Sequence, residues 1–290
     1  MKIAIYGNKY QEAYLNELES FFISLAKQDI SIAIESTFYN YLCRVLKTAP
    51  KTDFTISGRK FEADIALSIG GDGTFLHTAQ WVGDKQIPIL GINTGHLGYL
   101  ADVKINEATH IIEDLLNGNF KIENREMIEV MCDKYDIDSW KYALNEVAIL
   151  KQDTASMITV DTHINGAKLA DYQGDGLIIS TPTGSTGYNL SVGGPIIEPT
   201  AKNWVVSPIA AHSLTMRPLV ISNDCEIEIT THSRAQNYCI SIDGRSTSLP
   251  VGSTIKIRKA PFVTKVIQRK EHNFTDTLRD KLLWGVNKRQ

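Results

Sequence analysis

Over the first hundred positions, short apolar runs alternate with segments whose apolar residues recur at helical spacing. Lys2–Tyr6 reads as a strand. Leu15, Leu18, Phe21, Phe22 and Leu25 then fall on one face of a helix. Ile30–Ile34 predicts a second strand, ahead of a helix carrying Tyr41, Leu42, Val45 and Leu46. Asp64–Ile69 runs as a strand into a glycine-rich loop, Phe75–Val82 predicts a helix, and Ile87–Ile92 the next strand. Strand–helix alternation of this kind argues a mainly parallel sheet with helices on both faces.

From about Met127 the period changes. Met127–Cys132, Tyr142–Leu150, Met157–Ile164, Leu177–Ser180, Val205–Ile209, Cys225–Thr230 and Tyr238–Ile242 are short strand-like runs, and Asn165-Gly166 and Asp243-Gly244 are hairpin-type turn signals. Asp276–Trp284 returns to helical spacing, with Leu278, Leu282 and Leu283 on one stripe suited to the helix-rich first part. The expected organisation is an α/β domain over 1–103, a β-rich, antiparallel, sandwich-like domain over 104–264, and a segment 265–290 that returns to the first domain.

A chain of 290 residues, 43% hydrophobic and 22% charged, has the composition of a soluble globular protein of one large or two ordinary domains. A net charge of −3 supplies no overall basic field, so no nucleic-acid partner is expected. No apolar run approaches the roughly 18 residues needed to span a bilayer, and no membrane partner is expected. The chain opens on a strand without the apolar core of a signal peptide, so a cytoplasmic location is expected. Cys43, Cys132, Cys225 and Cys239 form no Cys-x-x-Cys pair and stand beside no histidine cluster, so they read as free thiols.

Three segments carry candidate chemistry. Ser68-Ile69-Gly70-Gly71-Asp72-Gly73-Thr74 follows a buried strand at its carboxyl end, where open α/β sheets place ligands. Its glycines let backbone N–H groups approach phosphate oxygens, and the helix starting near Thr74 points a positive dipole end the same way. Asp72 is the odd member: it abstracts a proton, helps hold a metal ion, or merely caps the helix. The loop is neither a Walker A loop nor a Gly-x-Gly-x-x-Gly fingerprint. Thr181–Pro195 is a long run of small hydroxylated residues and glycine whose many donors suit a phosphate- or ribose-bearing ligand. Asn145-Glu146 interrupts an apolar strand, so one of the pair faces inward toward a ligand, or Glu146 faces solvent with Asn145 bonded to a loop.

Together these features resemble the NAD kinase family. The Gly-Gly-Asp-Gly-Thr loop, the Asn-Glu pair and Thr181-Pro182-Thr183-Gly184-Ser185-Thr186-Gly187-Tyr188 occur in the family's order, supported by Gly91–Leu100 and Asp276-Thr277-Leu278-Arg279. The resemblance covers nearly the whole chain, strongly from about residue 60. It implies transfer of a phosphoryl group from ATP to the 2′-hydroxyl of the adenosine ribose of NAD, giving NADP. It also implies that Asp72 is the catalytic base, Gly73 lies against the ligand and His77 reaches its phosphates. Asn145 and Glu146 would hydrogen-bond NAD, and Asp175 with Thr186, Gly187, Tyr188, Asn189, Leu190 and Ser191 would line the pocket. A divalent cation, Mg²⁺ with ATP, and a homo-oligomer, tetramer or dimer, whose second domains help complete one another's sites, are further implications. No metal ligand is assigned.

The chain departs from the family pattern at Gly187, where alanine is common, and at Gln173, where a basic residue is common. At Arg245 a neutral polar residue is usual, and Arg245 is a candidate source of the charge that Gln173 lacks. His96, His110, His163, His212, His232 and His272 are scattered and read as satisfied or exposed. A lipid or sugar kinase could share the glycine loop but does not explain Asn145-Glu146 or Thr181–Pro195. A non-enzymatic dinucleotide-binding regulator has no need of an acid at position 72.

Overall fold

The structure is a computed structural model that describes residues 1–95, 98–137, 140–153, 156–270 and 273–282. His96 and His272, Leu97 of the Gly91–Leu100 stretch, and Leu283 and Trp284 of the expected terminal helix lie outside the described residues. The chain divides into two units, Met1–Asn124 with Thr264–Gln290, and Arg125–Val263.

The first unit contains strands β1 (Lys2–Gly7), β2 (Ser31–Glu35), β3 (Phe54–Ile56), β4 (Ile65–Ile69), β5 (Ile89–Asn93) and β6 (Val103–Lys104), with helices α1 (Leu15–Leu25), α2 (Ser36–Val45), α3 (Asp72–Val82) and α4 (Ala108–Leu116). The strands lie in the order β3-β2-β1-β4-β5, all parallel, and β6 continues beyond β5. Every residue of β4 and β5 is buried, as their unbroken apolar runs require in a sheet covered on both faces. The expected helical face of α1 is the buried one: Leu18, Phe21, Phe22 and Leu25 join Ile3, Ile5, Ile34 and Leu67 in one core. Burial of each such side chain contributes about 1.5–3 kcal/mol, so a charge at Leu18 would break this contact. Glu35 caps α2 by accepting the N–H groups of Thr37 (3.0 Å) and Phe38 (2.8 Å). Ala108, Ile112 and Leu115 of α4 enter the same core, which carries the first unit past residue 103 to Asn124.

The second unit is built on antiparallel strand pairs. Its chain order is β7 (Phe120–Cys132, which begins in the first unit), β8 (Tyr142–Ala143), β9 (Glu146–Lys151), β10 (Ile158–Ile164), β11 (Ala167–Gly174), β12 (Gly176–Ser180), the one-turn helix α5 (Tyr188–Ser191), β13 (Asn203–Ile209), β14 (Leu219–Ser222), β15 (Ile227–His232), β16 (Asn237–Ile242), β17 (Arg245–Pro250) and β18 (Thr254–Arg269). One sheet runs β14-β13-β12-β9-β16-β17; β11, β10, β15 and the first half of β18 form the other, which β7 and β8 join. Ile149, Leu177, Ile179, Val206 and Tyr238 from one sheet pack on Val160, Ile229 and Ile257 from the other, the sandwich expected from the alternating runs. Both hairpin signals are correct for a physical reason: Asn165 (φ 50°), Gly166 (φ 78°), Asp243 (φ 47°) and Gly244 (φ 78°) take the paired positive φ that a two-residue type I′ turn demands.

Two elements return the chain to the first unit. The last residues of β18 run parallel to β5, with Val266 opposite Ile89. Helix α6 (Phe274–Leu282) follows and buries Thr277.

Candidate active site

In the first unit the glycine loop is pinned at both ends. The Gly70 N–H donates to the Ile92 carbonyl (2.9 Å), and the buried Thr74 hydroxyl accepts from Asn8 Nδ2 (3.0 Å). Helix α3 starts at Asp72, two residues earlier than the sequence reading, so Asp72 stands in its first turn. His77 therefore sits in the second turn, exposed, and Gly73 is exposed as well.

Asp72 does not cap α3. Its carboxylate instead accepts three backbone N–H groups from the 98–101 segment: Tyr99 (2.7 Å), Leu100 (2.9 Å) and Ala101 (3.0 Å). A carboxylate offers about four acceptor positions, so roughly one is left for a substrate proton. Asn93 steadies the holding segment, donating to the Ala101 carbonyl (3.1 Å) and accepting the Gly95 N–H (2.7 Å). Tyr99 brings an aromatic ring beside this arrangement, and Lys281 Nζ of α6 lies 4.9 Å from the ring centroid. No motif or periodicity in the sequence sets Asn93, Tyr99 or Lys281 apart as individuals.

In the second unit Asn145 and Glu146 lie at the end of β9 that pairs with Ser180. Their backbone N–H groups, with that of Leu144, all donate to the Asp243 carboxylate (2.8, 3.1 and 2.7 Å). Asp243, read in the sequence only as a turn residue, thus holds its partner segment with the same three-amide clasp as Asp72. Burial pushes the Asp243 carboxyl above its ordinary range, against the three amides and the Arg245 guanidinium, which favour the charged form. The Glu146 carboxyl is pushed up to about 7, first by burial and then by Asp243, against a hydrogen bond from the Tyr188 N–H. Glu146 Oε2 and Asn145 Oδ1 are buried, and neither has a hydrogen-bond partner among the described residues. Each of the two residues therefore turns a side-chain oxygen away from solvent.

The Thr181–Pro195 run is folded more tightly than a long open loop. A 3₁₀ turn over Thr183–Thr186 leads into α5. Thr181 donates to the Leu144 carbonyl (2.6 Å), which ties the run to the Asn145-Glu146 pair. Asn189 is fully buried: it donates to the carbonyls of Ser185 (3.1 Å) and Pro195 (3.0 Å) and accepts from the Ser207 hydroxyl (2.6 Å). Its side chain is spent on holding the run. Tyr188 and Ser191 are exposed, and Thr186, Gly187 and Leu190 are half-buried. A Cβ at Gly187 would lie 3.2 Å from Glu146 Oε2, so this glycine lets the run close on that carboxyl.

Two residues stand apart. Asp175 lies beyond the Gly176–Leu150 end of the β12–β9 pair, whereas Glu146 faces Ser180 at the other, four strand residues or about 13 Å away. It forms an ion pair with Lys151 (2.6 Å). Arg245 donates to the carbonyls of Trp140 (3.0 Å) and Tyr142 (3.2 Å) rather than presenting both arms to a ligand. A cavity of about 410 Å³ in the first unit, lined by Leu90, Ile111, Leu115, Phe120, Ile267 and Arg269 among others, contains none of the sequence-predicted residues.

Comparison with known proteins gives these arrangements a family. Residues 17–120 match the family model for the ATP-NAD kinase N-terminal domain, and residues 144–269 match that for the ATP-NAD kinase C-terminal domain. The chain is 46% identical to the NAD kinase of Bacteroides fragilis over 289 residues, covering 100% of both. It is 43% identical to the NAD kinase of Porphyromonas gingivalis over 285 residues, covering 98% of both. The NAD kinase of Archaeoglobus fulgidus, solved in complex with ATP, superimposes with a TM-score of 0.71 at 25% identity over 93% of this chain and 95% of that one. Yeast NADH kinase, solved with NADH, shares the fold with a TM-score of 0.88 at 22% identity, over 99% of this chain and 89% of that one. The protein is thus a phosphotransferase enzyme. It belongs to the NAD kinase family.

Proposed function

We propose that this enzyme transfers the γ-phosphoryl group of ATP to the 2′-hydroxyl of the adenosine ribose of NAD, with Asp72 accepting the proton. The full-length relationship to bacterial NAD kinases carries the reaction. The clasped carboxylate at the end of β4 supports the role of Asp72. A ribose hydroxyl is far too weak an acid to be deprotonated beforehand by a carboxylate. In a loose transition state the 2′-oxygen bonds to the γ-phosphorus as the bond to the β,γ-bridging oxygen breaks and ADP leaves with that electron pair. The hydroxyl proton passes to the acceptor position that Asp72 has left. Amides already aligned on the carboxylate fix its direction without reorganisation during the reaction.

Glu146 and Asn145 hydrogen-bond NAD in this reading, the orphaned Oδ1 and Oε2 atoms being acceptors for ribose hydroxyls or amide N–H groups. Gly73 and His77 face the phosphates, and Gly187, Tyr188 and neighbouring residues line the pocket. Asp175, at the opposite end of its strand pair, would serve the site of a neighbouring protomer in a homo-oligomer. Among the described residues no three His, Cys, Asp or Glu side chains gather to hold a metal ion. They do not fit a resident cation site, and the expected Mg²⁺ belongs with the ATP polyphosphate. No helix among the described residues is long and apolar enough to cross a membrane; a cytoplasmic location is part of the proposal. The test is formation of NADP from NAD, Mg²⁺ and ATP, with polyphosphate as the alternative donor. NADP with ATP is expected, and none with ATP would remove the reading.

A further inference from the structure

Lys281 brings the ammonium group of a long side chain to the Asp72 clasp. It lies on α6, and its Nζ is buried over the ring of Tyr99, the residue whose N–H holds Asp72 at 2.7 Å. Asp72 and Asp102 act on it electrostatically, as does Asp280 on its own helix. Yet Nζ has no hydrogen-bond partner among the described residues, and neither has the buried hydroxyl of the Tyr99 ring that it lies over. Asp72 is not a hydrogen-bond partner of the ammonium, and its bonds within the fold are to the three amides. Burial lowers the affinity of Lys281 for its proton, while the three carboxylates favour the charged form.

An ammonium with three unspent donors is costly to bury unless something satisfies it, and breaking such pairing typically costs several kcal/mol. A structural strut would have its donors on carbonyls, as Lys85 does on Trp81 and Val82 in this same unit. Lys281 is arranged instead as a cation waiting for an anion, next to the carboxylate that would otherwise repel a polyphosphate. We propose that Lys281 is a catalytic residue whose ammonium contacts the phosphoryl group in transfer, with the Tyr99 hydroxyl as a second donor to the same group. This rests on the reading of Asp72 as proton acceptor and adds the positive charge that reading lacked. Lys281 keeps its proton throughout and forms no covalent bond; it offsets charge spreading over the phosphoryl oxygens.

Lys281→Met keeps an unbranched side chain of similar length and removes the charge. In the full-length enzyme it is expected to lower kcat/KM for ATP by about 100-fold while KM for NAD stays within about three-fold. Lys281→Arg is expected to retain more activity than Lys281→Met, and methylammonium should raise the turnover of Lys281→Ala at least about ten-fold. A folded Lys281→Met enzyme with kcat/KM for ATP within about three-fold of the parent would overturn the proposal. Should Lys281→Met fail to fold, the amine experiment on Lys281→Ala decides: recovery supports the cation, and no recovery refutes it. Asp72→Asn assayed in parallel separates the two roles. Full turnover there with a disabled Lys281→Met removes the base and keeps the cation; the reverse pattern removes the cation alone.

Discussion

Gly98 lies so close to Asp72 that a Cβ at position 98 would collide with the carboxylate Oδ1. The clasp of Tyr99, Leu100 and Ala101 amides around Asp72 is therefore possible only with glycine there. Gly98→Ala must push the carboxylate off its amides by about a bond length. Misplacement on that scale costs about 100-fold in rate, and kcat should fall by that order while NAD binding, measured by calorimetry, changes little. Retained kcat would show that the clasp is not needed for turnover.

Asp72→Asn removes the proton acceptor, and kcat should fall by about 100- to 10,000-fold. The clasp adds a second consequence. One oxygen of asparagine can still accept from Leu100 and Ala101, but its amide nitrogen must then face the Tyr99 N–H, donor against donor. The variant should also lose about 1–3 kcal/mol of stability, read from its denaturant midpoint, with faster hydrogen exchange at Tyr99. A stable, active variant would count against both the base and the clasp.

Glu146 carries a pH dependence whose sign is fixed by its environment. Its folded-state value, about 7, lies above the ordinary 4.5. The folded protein thus favours the protonated carboxyl, and this contribution is present below pH 4.5 and lost as pH rises through 7. Glu146→Gln keeps the shape without the charge. It should match the parent in stability near pH 4 and exceed it by up to about 3 kcal/mol above pH 8, while weakening NAD binding. Identical melting curves at pH 8 would show that the carboxyl is not strained.

Asn189→Ala should act through the fold. It leaves the Ser185 and Pro195 carbonyls and the Ser207 hydroxyl without their partner, at about 1–3 kcal/mol for each group stranded away from water. Thermal unfolding should come earlier, and activity below that temperature should suffer mainly through a looser Tyr188 and Glu146. A normal melting temperature with a raised KM for NAD would instead mean that Asn189 reaches the ligand.

The layers of the fold were legible because hydrophobic period reports burial directly. The unbroken runs of β4 and β5 and the alternation along β10 leave little choice of face. The glycine loop and the Asn145-Glu146 pair were legible for a related reason, since each breaks a pattern around it. The clasps were not. Asp72 and Asp243 bond to amides 27 to 29 and 97 to 99 positions away, and backbone amides leave no signature in a sequence. Lys281 was hidden by its helix: in an amphipathic segment a lysine reads as a solvated face, and only tertiary contact reveals its ammonium lying over Tyr99. Arg245 erred in the opposite direction, offering charge in the sequence while two of its donors are spent on Trp140 and Tyr142 in the structure.

The chain leaves the first unit at Asn124 and comes back at Thr264, which imposes an order of assembly on a ribosome. The second unit is one continuous stretch and can close as soon as it has emerged. The first must wait with the Ile89 end of β5 unpaired on that edge until Val266 arrives to lie opposite it. The Asp72 loop is made before the second unit, and Lys281 after it. In the proposed mechanism the cation therefore joins the Asp72 loop only after the whole of the second unit has been synthesised.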